Sequence, residues 1–168
     1  MGKDEKLRND RLVFYKEDME KIDAVLREFQ ELSHAVSTML VDKDGHLITQ
    51  AGRATSYDAD TISALVAGSF AATREMARLL GEDEFSVLFH QGRRESIQLA
   101  IVEDQCLVAI VFDDSTTLGL VRLYSADMVA RLAWLFADMR KRPRRGSETL
   151  NESFSDMAAG NLDGVFGS

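Results

Sequence analysis

The scarcities of this sequence each remove a class of function. Cys106 is the sole cysteine and lies in an apolar run, which excludes a disulfide framework and a zinc site. No apolar run approaches the roughly 20 residues that a membrane span requires. The N-terminus (Lys3, Asp4, Glu5, Lys6, Arg8, Asp10) is charged and carries no apolar signal core. Positive charge is short, with a net charge of −8. Non-specific nucleic-acid binding needs a dominant positive field, so nucleic acid is not an expected partner. His34, His46 and His90 stand far apart with no neighbouring His or Cys, so no metal site is expected on them. No glycine-rich phosphate-binding loop is present. These absences predict a soluble cytoplasmic protein without cofactor, metal or stable membrane insertion.

What remains is an ordinary globular composition, 45% hydrophobic over 168 residues, which predicts one domain with tails. Residues 1–12 read as a polar arm, 13–141 as the domain, and 142–168 as a disordered tail with a short partner-binding helix. Met19, Ile22, Val25, Leu26, Phe29 and Leu32 recur at helical spacing. Val36–Val41 and His46–Ala51 read as strands joined by a turn at Asp42–Gly45. Phe85–Gln91, Glu95–Val102 and Cys106–Phe112 are three further strands, the last apolar throughout and so expected to be covered on both faces. Leu118–Leu123 either extends the last strand or enters a final helix that runs to about Lys141. Pro143 stops that helix, and the basic run from Arg140 to Arg145 suits its negative end. The pattern predicts an α+β fold, α-ββ-α-βββ-α, with a five-stranded antiparallel sheet and helices on both faces.

The central helix, Asp58–Leu80, carries the most information. Asp58 or Asp60 caps its start and Gly81 follows its end. The helical wheel predicts one apolar face of Ile62, Leu65, Val66, Met76, Leu79 and Leu80, packed on the sheet. Beside it lies a stripe of small residues, Ala64, Ala67, Gly68, Ala71 and Ala72, flanked by Arg74 and Arg78. Such a stripe admits the close approach of another backbone. One helix cannot cover five strands, so a twin helix from a second subunit is expected to complete the cover.

Chemistry of its own is not expected of this chain. Asp42-x-Asp44-Gly45 begins like a calcium loop, but Ala51 stands where the bidentate Glu belongs, so a plain turn is the reading. Ser33 with His34, and Ser86 with His90, lack the strand-turn-helix elbow of a hydrolase. Asp113 and Asp114 read as a solvated turn after an apolar strand. The prediction is a non-enzyme with no catalytic residues.

Four segments in fixed order carry a family resemblance: Leu65–Thr73, Leu79–Glu82, Phe89–Gly92 and Val111–Leu123. Together they resemble the roadblock/dynein light-chain domain, and within it the MglB-like branch of bacterial partners of a small Ras-like polarity GTPase. The resemblance spans about residues 14–140, and the end Asn161–Phe166 is similar to the acidic-hydrophobic tails of that branch. It implies a cytoplasmic homodimer concentrated at a cell pole, dimerising through the central helix. It implies stimulation of GTP hydrolysis by positioning the GTPase's own groups, in cell polarity or gliding motility. The tail is implied to assist nucleotide exchange.

Residue by residue, the resemblance implies GTPase contacts at Lys21, Gly68, Ala71, Glu75, Arg78 and Asp127, and dimer contacts at Ala64, Ala67 and Ala72. Phe154, Leu162, Val165 and Phe166 are the tail positions implied to meet a partner. Glu75 departs from the small residue usual there, and Asp127 from a lysine. Two further readings compete: a non-catalytic roadblock scaffold in a motor or polarity complex, and a small-molecule sensor.

Overall fold

The computed structural model describes residues 12–53 and 57–143. In chain order it contains α1 (Lys16–Ser33), β1 (Ser37–Asp42), β2 (Leu47–Gly52), α2 (Ala59–Leu80), β3 (Val87–Gln91), β4 (Ser96–Val102), β5 (Cys106–Phe112) and α3 (Leu118–Lys141). The expected element order holds. The sheet runs β2-β1-β5-β4-β3 with every neighbour antiparallel. The tail positions Phe154, Leu162, Val165 and Phe166 lie outside the described residues.

Strand β5 shows why the fold has two cores. All seven of its residues are buried, and alternate side chains point to opposite faces of a sheet. Cys106, Val108, Ile110 and Phe112 join one cluster; Leu107, Ala109 and Val111 join the other. The first cluster is roofed by α1 through Ile22, Leu26 and Phe29 and by α3 through Met128, Leu132 and Phe136. The second is roofed by α2 through Val66 and Phe70. Phe14, ahead of α1, closes the first cluster edge-to-face on Phe136 at 5.9 Å.

Residues 118–123 enter the helix. Thr117 Oγ1 accepts from Leu120 N at 3.2 Å and starts one continuous helix of 24 residues. Asp127 lies in its third turn.

Helix α2 is capped as expected, by the Asp58 carboxylate on Asp60 N at 3.1 Å and by left-handed Gly81. Its rotation differs from the expectation. The buried stripe is Ser63, Val66, Phe70, Thr73 and Ala77. Leu65, Met76, Leu79 and Leu80, expected against the sheet, are exposed at 62%, 51%, 71% and 72%. Two buried hydroxyls make this orientation tolerable: Ser63 Oγ donates to the Ala59 carbonyl at 2.7 Å, and Thr73 Oγ1 to the Ser69 carbonyl at 2.9 Å. Their polarity is spent inside the helix. Phe70 supplies the large knob, a burial worth about 1.5–3 kcal/mol.

The β1–β2 turn reaches across to α2. Gly45 has φ +93°, and a Cβ there would lie 3.0 Å from Ala64 Cα and 3.5 Å from Ala67 Cβ. Part of the small stripe thus serves contact within the chain. Gly45→Ala is expected to cost about 1–2 kcal/mol, from left-handed strain plus the crowded helix. A lowered urea midpoint at unchanged slope would establish it; an unshifted midpoint would mean that the turn moves freely away from α2.

Candidate functional site

The outward side of α2 is a surface that the core does not use. Successive helical residues are offset by about 100°, so exposure divides this side into two flanks. Leu65, Met76, Leu79 and Leu80 form an apolar flank. Ala64, Ala71, Glu75 and Arg78 form a small and charged flank, exposed Gly68 lies between the two, and exposed Ala72 lies within the apolar flank. Ala67 is half-buried and packs on the second core.

The charged flank is internally paired. Arg78 Nε donates to Glu75 Oε1 at 3.0 Å and to Oε2 at 3.1 Å. This bond holds the Glu75 carboxyl below the ordinary glutamate range and raises Arg78. Glu75 therefore presents a neutralised ion pair to a visitor. Arg74 reaches Asp104 of the β4–β5 turn at 3.9 Å. Ala71 lies between, at the lip of a cleft lined by Arg74, Glu75, Arg78, Glu82 and Asp104.

Lys21 and Asp127 do not belong to this surface. They sit on α1 and α3, across the sheet from α2. The sheet itself stands between the two helix layers. One subunit cannot bring these two residues together with Gly68, Ala71, Glu75 and Arg78. Lys21 borders a groove with Arg131, Trp134 and Leu135. Asp127 approaches Arg131 at 3.9 Å, while Arg131 bonds Glu28 at 2.5 Å.

The apolar flank is what the sequence reading missed. Its signal was present. The large apolar residues of α2 span roughly half the helix circumference, wider than a single sheet contact uses. Beside α2 on the same sheet face, Leu88, Ile97 and Ile101 are only partly buried.

The other candidate groups are occupied by local structure. Asp42, Asp44 and His46 each place one donor atom within 4.8 Å of the others. However, Asp42 Oδ1 accepts from Asp44 N and His46 N at 2.9 Å each, and Oδ2 lies 3.1 Å from His46 Nδ1. That is the hydrogen bonding of a turn. Asp113 Oδ1 accepts from Ser115 N at 2.9 Å and Oδ2 from Arg53 at 3.4 Å. Ser33 Oγ accepts from Ala35 N at 3.2 Å. Burial pushes the Cys106 thiol up to about 12, which leaves it protonated and inert. No described helix is long and apolar enough to cross a membrane.

Comparison with known proteins agrees with the fold. The Roadblock/LC7 domain matches residues 21–112, more than half of the chain. Among solved structures, Myxococcus xanthus MglB is 36% identical with a TM-score of 0.73, covering 79% of this chain and 100% of its own. The gliding protein MglB of Thermus thermophilus is 31% identical with a TM-score of 0.72, covering 76% of this chain and 96% of its own. A further MglB structure, described as a tetrameric arrangement, is 30% identical with a TM-score of 0.72. Comparison with curated protein sequences returned no match. The chain belongs to the Roadblock/LC7 domain family.

Proposed function

We propose that this protein regulates a small Ras-like GTPase, raising its rate of GTP hydrolysis, and that it acts as a homodimer. The supporting observation is the two-flanked outer side of α2. A rigid helix offers exposed apolar residues to one neighbour and a small, internally neutralised surface to another. The likeness to two MglB proteins over most of their length points the same way. In this reading Leu65, Ala72, Met76 and Leu79 meet the twin helix, whereas Ala64 and Ala67 stand against the β1–β2 turn of their own subunit. Gly68, Ala71, Glu75 and Arg78 meet the GTPase. The regulator supplies no reacting group. It holds the GTPase's switch segment so that the GTPase's own residues align, and positioning alone can supply several powers of ten in rate.

The test is phosphate release from a GTP-loaded MglA-type GTPase with and without this protein. Stimulation that saturates at a fixed ratio of subunits supports the reading. Binding with unaltered turnover would favour a scaffold instead. Deletion of residues 147–168 is expected to leave hydrolysis unchanged and to slow nucleotide exchange, measured by release of a fluorescent guanine nucleotide. Unchanged exchange would reduce the tail to a tether.

A further inference from the structure

The sheet face beneath α1 and α3 is not covered to its β3 edge. Between α3 and strands β3 and β4 lies a cavity of about 530 Å³, lined by Phe89, Gln98, Ala100, Arg122, Ser125 and Val129. That volume falls within the range of small-molecule sites, which combine apolar walls with a few convergent polar groups.

The polar groups here are unusually placed. Gln98 is 1% exposed and stands in register with Phe89 on one side and Ile110 on the other. Its Nε2 donates to Ser125 Oγ at 2.8 Å, and Ser125 Oγ donates to the Arg122 carbonyl at 3.2 Å. Its Oε1 is buried and has no hydrogen-bond partner. Turning the amide over only exchanges which atom is orphaned, because the Ser125 hydroxyl serves a single amide atom. Buried polar groups are otherwise paired almost throughout folded proteins. An apolar residue would suit this strand position better than an unpaired amide. At the mouth, the Arg122 side chain is exposed and pairs with no carboxylate among the described residues.

We infer that this cavity binds a small amphipathic acid. A flat apolar body lies against Phe89, Ala100 and Val129, Gln98 shifts its buried amide toward the cavity so that Oε1 accepts an N–H or O–H of the ligand, and the ligand's acid group pairs with Arg122. The site is on the sheet face opposite α2 and stands independently of the GTPase assay.

Indole-3-acetate carries all three features and serves as the probe, with the full chain observed by ¹H–¹⁵N NMR. Saturable shifts are expected at the Gln98 side-chain amide and at Phe89 and Ser125. Ala126→Phe, at an exposed helix position on the rim, is expected to weaken binding about tenfold or more by filling the mouth. Benzothiophene-3-acetate, which lacks the N–H, is expected to bind about fivefold or more weakly, because it leaves the amide oxygen unpaired. Arg122→Gln is expected to weaken binding and flatten its dependence on salt. The inference fails if no saturable shift occurs at these residues, or if Ala126→Phe leaves binding unchanged. It fails equally if the two probes bind alike, which would mean that an ordered water satisfies Gln98. Gln98→Met gives a further check: unweakened binding by a stabler protein would reduce the amide to a misplaced core group. Should that variant fail to fold, the probe pair and Ala126→Phe still decide.

Discussion

Ala71→Arg is expected to reduce stimulated GTP hydrolysis by about tenfold or more, equivalent to roughly 1.4 kcal/mol or more of lost positioning. The substitution is chosen because it is gentle to the chain itself. Ala71 is exposed on a helix, and arginine is nearly as good a helix former as alanine. A guanidinium there also finds Glu75 one turn on, an allowed helix pairing. The melting temperature should therefore hardly move. The surface, however, changes greatly. The lip between Arg74 and Arg78 gains a bulky third cation where close backbone approach was possible. Glu75, already held by Arg78, would be drawn toward the new charge and the neutral pair disturbed. Hydrolysis is read by phosphate release, and subunit association by light scattering. Lost stimulation by an intact dimer assigns Ala71 to the GTPase flank. If the variant is monomeric, Ala71 belongs to the dimer seam and the two flanks must be reassigned. Full stimulation by a dimer would remove α2's charged flank from the GTPase contact.

Local pattern made most of this fold legible. The helical repeat of Ile22, Val25, Leu26 and Phe29, the Asp-Gly turn at 44–45 and the unbroken apolar run of β5 each carry their structure within a few residues. Asp58 and Gly81 bounded α2 almost to the residue. Rotation about the α2 axis was not legible from apolar count alone. A wheel ranks Leu65, Met76, Leu79 and Leu80 above Ser63 and Thr73 for burial. The chain buries the two hydroxyls, since each closes a bond to its own helix, and leaves the leucines outside. That inversion is informative. A monomer optimised for its own core would turn the helix the other way, so exposure of these residues argues for a second partner.

Depth in the third dimension was the other obstacle. Lys21, Asp127 and the α2 residues were grouped by resemblance, but which sheet face a helix takes is decided by the whole topology. With β5 central, α1 and α3 pack side by side over one face, and α2 alone among the described helices occupies the other. The Gln98–Ser125 contact lies on the first face and joins residues 27 apart. No short motif announces it. A glutamine in an alternating apolar strand was the available hint.

Arg142→Met is expected to produce the largest loss of stability, lowering the melting temperature by on the order of 5 °C or more at neutral pH. The basic run at the end of α3 reads in the sequence as a helix-end cap and linker, yet two of its residues clamp the fold. Arg140 pairs with Glu103 at 2.7 Å. Arg142 bonds Asp18 in the first turn of α1, across 124 residues. Burial by itself would raise the Asp18 pKa. The hydrogen bond from Arg142, the Tyr15 backbone N–H at 3.1 Å and the nearby positive charges outweigh it, and the carboxyl is held below the ordinary aspartate range. Removing Arg142 leaves that carboxylate buried, with the Tyr15 amide as its remaining hydrogen-bond donor among the described residues. The sign of the pH dependence follows. A depressed folded pKa stabilises the protein above the unfolded aspartate pKa, and the contribution is lost as pH falls through the folded value. The melting-temperature gap between wild type and Arg142→Met should thus be full at pH 7 and close as the solution is acidified below pH ~4. Arg142→Lys retains the charge without the planar fork and should fall between the two. A gap that is constant over this range would mean that Arg142 stabilises by packing its alkyl stem alone. Asp18→Asn should then behave like wild type, whereas the clamp requires it to lose stability and to lose the pH dependence together.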